Sequence, residues 1–225
     1  LASSVAPLDI TLIERAIWRR AAYRLEASCR ASVVLILHPE PEDVRLLLIR
    51  RAQRDGDPWS GHMALPGGHR EAKDEDDLRT ALRETEEEIG LDLAQSAKLI
   101  GALDDIRASA RGHTLDLVIT PFVYQVGASP SFSASDEVAE VVWVSLSALA
   151  NGTHFICHPV ELQGRVAVFP GWNVADQIVW GLTYRILTGL LQRVFGEADR
   201  LSSDATLADL TCPDRSHAIP KNHER

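Results

Sequence analysis

The stretch LPGGHREAKDEDDLRTALRETEEEIGLDL, residues 65–93, constrains this chain more than any other. Leu78, Ala81, Leu82, Thr85 and Ile89 recur at i, i+3, i+4, i+7 and i+11, a single helical face that can pack on a sheet. Glu84, Glu87 and Glu88 fall on the far side at i, i+3 and i+4, so their side chains converge over about one turn of helix. Gly90 supplies a terminus, because glycine accepts the left-handed conformation that ends a helix. Before the helix, Pro66, Gly67 and Gly68 form a tight segment whose backbone can approach a ligand closely. Like charges at i,i+4 repel by a few tenths of a kcal/mol. A solvated acidic face tolerates that; a chain that cages a hard cation requires it.

The rest of the sequence mixes strands and helices without a regular βαβ alternation, which favours α+β over a doubly wound sheet. PLDITLIERAIWRRAAYRLEA reads as an amphipathic helix, with Asp9 or Thr11 as caps. ASVVLILHP and VRLLLIRRA read as strands joined by the turn chemistry around Pro39 and Pro41. Further strands are expected in AKLIGALDDI, HTLDLVITPFVYQV, VAEVVWVSL, HFICHPV and GRVAVFPGW. VADQIVWGLTYRILTGLLQRVF reads as one long helix, and the sequence after Gly196 as a polar tail.

The 225 residues carry a formal charge of -9, which argues against a nucleic-acid surface built from clustered basic residues. It leaves room for a phosphorylated substrate, since a divalent metal supplies positive charge locally. Cys29, Cys157 and Cys212 are scattered and lack Cys-x-x-Cys spacing, so neither a disulfide framework nor a zinc site is expected, and a reducing cytoplasm is the natural compartment. No apolar run approaches the roughly 18 residues of a membrane span. The N-terminus lacks a basic region followed by an apolar stretch. Leu1 stands where an initiator Met would, which is compatible with a longer parent chain.

From Glu75 the run is Glu, seven residues, Arg83-Glu84, Thr85, one residue, Glu87-Glu88, one residue, Gly90-Leu91. This closely resembles the signature of the Nudix hydrolases, Gly-x5-Glu-x7-Arg-Glu-U-x-Glu-Glu-x-Gly-U, where U is bulky and apolar. There are two departures. Six residues, not five, separate Gly68 from Glu75, and Thr85 occupies an apolar position. The extra residue is expected in the loop before the helix, leaving the helical carboxylates undisturbed.

The resemblance implies a Nudix-type α/β/α sandwich with a mixed sheet between helices. It divides the chain into an N-terminal helical extension (1–30), the hydrolase domain (31–196) and a polar tail (197–225). It implies hydrolysis of a diphosphate linked to another moiety, by attack of water on phosphorus with Mg²⁺ or Mn²⁺. Such ions neutralise phosphate charge and lower the pKa of bound water, and carboxylates suit them. By position, Glu84, Glu87 and Glu88 are the implied ligands, with a carbonyl of Gly67 or Gly68 completing the shell. Arg83 is implied to pair with Glu75 and fix the loop against the helix; a surface pair worth under about 1 kcal/mol is the alternative. Glu87 and Glu88 are candidates for the chemistry itself, and a loop carboxylate is a candidate base. FSASDEVAE offers Asp136, Glu137 and Glu140, of which Glu137 is the assigned candidate; solvating loop acids are the alternative reading.

GDPWSGHMALPGG, TPFVYQV, EVAEVVWVSLSAL and FPGWNVADQIVWGLTYRIL resemble the coenzyme A pyrophosphatase branch, together covering roughly residues 46–191. That branch carries His-x-Gly-Gln-Val before its Phe-Pro-Gly-Gly. Here Trp59 replaces the His and His62 the Gln. The implied substrate is coenzyme A or a related acyl-CoA. The alternatives are ADP-ribose, dinucleoside polyphosphates, nucleoside triphosphates, or a Nudix-fold module that binds a nucleotide without hydrolysing it. All three box glutamates are present, which favours catalysis over that last reading. Arg50 or Arg51 can hold a phosphate through guanidinium contacts, or stand solvated with Arg54 at the strand end. Trp59 can stack on an adenine or plug the packing. His62 is read as a wall residue; Trp172 and Trp180, with Ile178 and Leu182, as filling the core or a homodimer contact.

Overall fold

Two strands covered on both faces set the architecture, described here in a computed structural model for residues 8–56, 59–110, 113–127, 130–162, 164–196 and 212. β1 (Cys29–Glu40) and β2 (Asp43–Arg51) form an antiparallel hairpin. Along them Val34, Ile36, Leu47 and Ile49 enter one core, and Leu35, Leu37, Leu46 and Leu48 the opposite one. Covered strands read as nearly continuous apolar runs, as these two do.

Around the hairpin grow β3 (Met63–Ala64) and β8 (Val138–Ser145) on β2, and β4 (Gly67–His69) on β1. β7 (His113–Val126) runs parallel to β1, while β5 (Ala97–Ala102) and β6 (Ile106–Ala110) pair antiparallel with β7. The sheet is therefore mixed and eight-stranded. One face carries α2 (Asp77–Ile89) and the short α3 (Leu93–Ser96). The other carries α1 (Ile10–Trp18), α4 (Leu146–Ala150) and α5 (Gly181–Phe195). The result is the expected α+β sandwich. A separate antiparallel sheet of β9 (Phe155–Leu162), β10 (Arg165–Val174) and β11 (Gln177–Trp180) adds Trp172, Val174 and Val179 to the second core.

Four expectations need correction. The long helix expected over 174–195 begins only at Gly181. Ala175 and Asp176 both take positive φ, the conformation of a two-residue hairpin turn, so residues 177–180 return as β11. The N-terminal helix stops at Trp18 rather than running on to residue 27. Beyond it, acceptors on the main domain capture the backbone: Asp104 takes the N–H of Tyr23 at 2.8 Å and Asp105 that of Leu25 at 3.0 Å. The cysteines are not all free, because Cys157 on β9 and Cys212 form a disulfide, leaving Cys29 as the free thiol. Cysteine spacing therefore carries no information about compartment in this chain. Lastly, Trp172 is a core residue packed on Tyr184 at 4.4 Å between centroids, whereas Trp180 is only half-buried. The polar tail expected over 197–225 lies, but for Cys212, outside the described residues.

Candidate active site

The site forms where the glycine segment folds back on β1. Ser32 faces Gly68 and Val33 faces Gly67 in β4, and the N–H of Val34 donates to the Pro66 carbonyl at 2.8 Å. Gly67 has φ +144, and a Cβ there would lie 2.1 Å from the Ser32 carbonyl oxygen. No side chain fits at 67. A Cβ on Gly68 would lie 2.5–2.6 Å from the Glu84 carboxylate, so this glycine leaves the space in which that carboxylate sits.

Helix α2 starts at Asp76, whose side chain accepts the N–H of Arg79 at 2.8 Å, and ends at Gly90 in the left-handed conformation. Its start is held by Arg30 of β1, which donates to Asp77 at 2.8 Å and to Asp105 and Thr120 at 2.9 Å each. Burial opposes the charge of Asp105, but hydrogen bonds from the Leu25 N–H, Arg30, Thr120 and Arg24 outweigh it and hold the carboxyl below its ordinary range. Nothing in the spacing of these residues marks this network. Ala81 and Ile89 are buried as expected, with Leu78 and Leu82 packed at the edge of the same core.

Glu88 departs from the expected placing. It is not on the solvent side with Glu87 but 4% exposed, sharing the packed face with Ala81 and Thr85. Its carboxylate accepts the Gly67 N–H at 2.8 Å. Burial pushes its pKa up to about 8; the Gly67 N–H and Arg51 pull against that shift, while Glu84 and Glu137 add to it. Burial likewise raises the Glu84 carboxyl against the opposing pull of Arg83.

Arg83 is the organiser of the loop, but its main partner is Asp74 rather than Glu75. It grips Asp74 with two nitrogens at 3.0 and 2.9 Å, reaches the His69 carbonyl at 3.1 Å, and meets Glu84 at 2.9 Å and Glu87 at 2.8 Å. The Arg83 bond, against some opposition from burial, holds the Asp74 carboxyl far below its usual range, and the guanidinium itself is raised in turn. Thr80 and the Glu71 N–H complete the Asp74 shell at 3.0 and 2.9 Å. The spacing explains the substitution: five residues after Gly68 lead to Asp74, so the extra residue lies between the acid and Arg83. The Glu75 carbonyl instead accepts from Arg70 at 2.6 Å.

Glu137 reaches the site through the backbone. The left-handed Gly90 leaves carbonyls of the last turn open, and the Ser133 and Ser135 N–H groups take those of Ile89 and Glu88 at 2.9 Å each. The Ala52 N–H then binds the Glu137 carbonyl at 2.8 Å, tying the loop to the end of β2. The exposed Glu137 carboxylate meets Arg54 at 3.1 Å. Arg51 is close enough to Glu88 to favour its charge, whereas Arg50 is turned to Glu140 at 3.2 Å. Trp59 is 55% exposed and so is no packing plug.

Among the described residues, no three His, Cys, Asp or Glu side chains are grouped tightly enough to hold a metal ion. The expected convergence of three carboxylates is thus not present in this arrangement. Glu84 and Glu88 stand at the glycine segment, while Glu87, its side chain 54% exposed, is held by Arg83.

The sequence matches the NUDIX domain family over residues 29–159. The chain belongs to the Nudix family. A Yersinia pestis protein named Nudix hydrolase NudL is 32% identical over 178 residues, covering 78% of this chain and 80% of its own length. The chain is accordingly a Nudix hydrolase. An uncharacterized Schizosaccharomyces pombe protein is 44% identical over 107 residues, covering 46% of this chain; the match spans about a third of that relative, 32%. Among solved structures, a Caenorhabditis elegans Ap4A hydrolase aligns over 54% of this chain and 82% of its own, with a TM-score of 0.44 and 20% identity. Within the Nudix box, then, the structure brings Glu84, Glu88, Gly67 and Gly68 together, adds Arg51 and Glu137, and replaces Glu75 by Asp74.

Proposed function

We propose that this Nudix hydrolase is a metal-dependent pyrophosphohydrolase cleaving the diphosphate bond of a nucleoside diphosphate derivative, with coenzyme A or a related acyl-CoA favoured. The observation that carries the reading is Glu88. A buried carboxylate with two other acids acting on it is costly unless a proton or a cation joins it. Its neighbours fit that cation. Glu84 occupies the space left by the missing Gly68 side chain, and every candidate donor is an oxygen of the kind that Mg²⁺ or Mn²⁺ prefers. Glu84 and Glu88 would hold the ion, with Glu87 joining after leaving Arg83. Bound there, it would neutralise the diphosphate and lower the pKa of a coordinated water.

The chain's own groups do the rest. Arg83 locks the glycine loop to the helix and offsets the crowded carboxylates. Arg51, facing the same carboxylate, is placed to receive a phosphate that approaches it. Glu137, exposed and close enough to Glu88 to raise its pKa, is the carboxylate we assign to accept a proton from the attacking water.

Coenzyme A is favoured by the likeness of the segments around the box to that branch. A second reading, ADP-ribose or a dinucleoside polyphosphate, is favoured by Trp59 and His62, which replace the His and Gln of the segment most tied to coenzyme A. Hydrolysis of coenzyme A, ADP-ribose and diadenosine polyphosphates, measured with Mg²⁺ and with Mn²⁺, separates the two. In ¹⁸O-labelled water the label is expected on a phosphate product. Label found only on a carbon-linked hydroxyl, or no turnover of any of these diphosphates, would reject the proposal.

A further inference from the structure

The β9–β10–β11 sheet has two unlike faces. Trp172, Val174 and Val179 point into the large core beside α5. Alternation along the strands sends His158, Phe169 and Trp180 to the other side, where Phe169 pairs with His158 across β9 and β10. These rings are half-buried and belong to neither core. Trp180 is their centre. His158 meets it edge-on at 5.2 Å, Phe169 is tilted against it at 5.7 Å, and His62 meets it edge-on at 5.5 Å. Its cross-strand neighbour is Gly171, which adds no side chain beside the indole.

His62 joins this cluster to the hydrolytic site. Its carbonyl accepts the N–H of Arg51 at 3.0 Å, and Arg51 faces Glu88. Directly after His62 come Met63 and Ala64 of β3, then the glycine segment. The aromatic surface thus adjoins, through the His62 backbone, the strand end that carries Arg51.

We propose that Trp180, with His62, His158 and Phe169, is the subsite that receives the heteroaromatic base of the substrate's nucleotide half. The proposal rests on the diphosphate-hydrolase reading and adds to it which side chains recognise the organic part. Stacking suits this cluster: aromatic side chains offer flat apolar area, every base has a π-face, and specificity for one base is not required. Burial pushes the His158 imidazole below its ordinary value, which favours the neutral ring that stacks. The disulfide at Cys157 lies on the opposite face of β9, because neighbouring residues alternate.

The test compares AMP with ribose 5-phosphate, which differ by the base, in direct binding to wild type, Trp180→Leu and Trp180→Phe. Wild type is expected to bind AMP about tenfold or more tightly than ribose 5-phosphate, in keeping with one stacked base. Trp180→Leu keeps an apolar side chain and loses the ring, so it should abolish that preference, while Trp180→Phe restores most of it. Matching thermal melts establish that both variants are folded. If Trp180→Leu unfolds, Phe169→Leu carries the same expectation. With ADP-ribose as substrate, the loss is expected in KM, with kcat within about twofold, since the ring would touch the base and not the reacting phosphorus. Equal binding of AMP and ribose 5-phosphate by wild type would overturn the proposal. So would a Trp180→Leu defect seen only with acyl-bearing substrates, or one that tracks loss of self-association. If no diphosphate is hydrolysed but the AMP preference depends on Trp180, the hydrolase reading fails and the base subsite stands.

Discussion

The two cores on either side of the central sheet are built from different materials. The one beneath α1, α4 and α5 is dominated by apolar side chains, with Trp172, Tyr184, Leu187 and Leu190 meeting the leucines of β1 and β2. The one beneath α2 is interrupted by Thr80, Thr85 and Glu88, with Asp74 buried at its margin. A purely apolar layer gains free energy from each group it buries. A layer holding a carboxyl group surrenders part of that gain. Stability and chemistry are thereby assigned to opposite faces of one sheet, and substitutions should separate them.

The sharpest separation is expected at Trp172→Ala, which should cost about 3–5 kcal/mol of folding stability. Denaturant melts measure this; a loss below about 1 kcal/mol would mean that the second core is not where the stability resides. On the other face, Glu88→Gln and Glu87→Gln are expected to lower kcat a hundredfold or more, about 3 kcal/mol of lost transition-state stabilisation, while the protein remains folded. Glu86→Gln, exposed and outside the site, should lose little. Equal losses at Glu86 and Glu87 would break the assignment.

The helix was readable from sequence because its periodicity is local: the positions of Leu78, Ala81, Leu82 and Ile89 alone fix the packed face. The side of Glu88 was misread for the opposite reason. Ala81, Thr85 and Glu88 stand at i, i+4 and i+7, but a carboxylate is assigned to solvent unless something nearby accounts for its burial. What accounts for it is the Gly67 N–H, whose position depends on a non-local pairing with β1. Asp74 was missed because residue type was weighed above spacing. The loop acids of FSASDEVAE are visible in composition, yet the Ser133 and Ser135 bonds that bring Glu137 near Glu88 leave no sequence signal beyond Gly90.

Smaller effects sharpen the contrast further. Asp74→Asn should cost about 1–2 kcal/mol, less than breaking an isolated buried pair, because Arg83 keeps Glu84 and Glu87. Activity should fall with it, since the loop is freed. A kcat unchanged at full occupancy would show that Arg83 does not need this anchor.

The metal-free enzyme should also lose stability as pH rises toward 8. Glu88 has a folded-state pKa raised to about 8, so its contribution is fully present below the unfolded value near 4.5 and is lost as pH rises through 8. Chelated wild type should therefore weaken between about pH 4.5 and 8 relative to Glu88→Gln and level off above that, and added Mn²⁺ should reduce the difference. Parallel pH curves for the two proteins would refute this. The slightest effect belongs to Asp104, held down to about 2 chiefly by its bond to Arg20. Its contribution is present above the unfolded value near 4 and fades as pH falls toward 2, and Asp104→Asn should flatten that limb of the acid melt.

The parallel pairing of β1 with β7 has a kinetic consequence. Cys29 faces Leu117 and Leu37 faces Gln125, so the glycine segment, α2 and its acidic residues all lie on the chain between two strands that must meet. Closing so long a connection is entropically slow and is rewarded only once the pairing is made. The hairpin of β1 and β2 is able to form early from neighbouring residues. The carboxylate site is expected to be among the last regions to acquire native order during refolding, and the first to lose hydrogen-exchange protection when β7 is weakened.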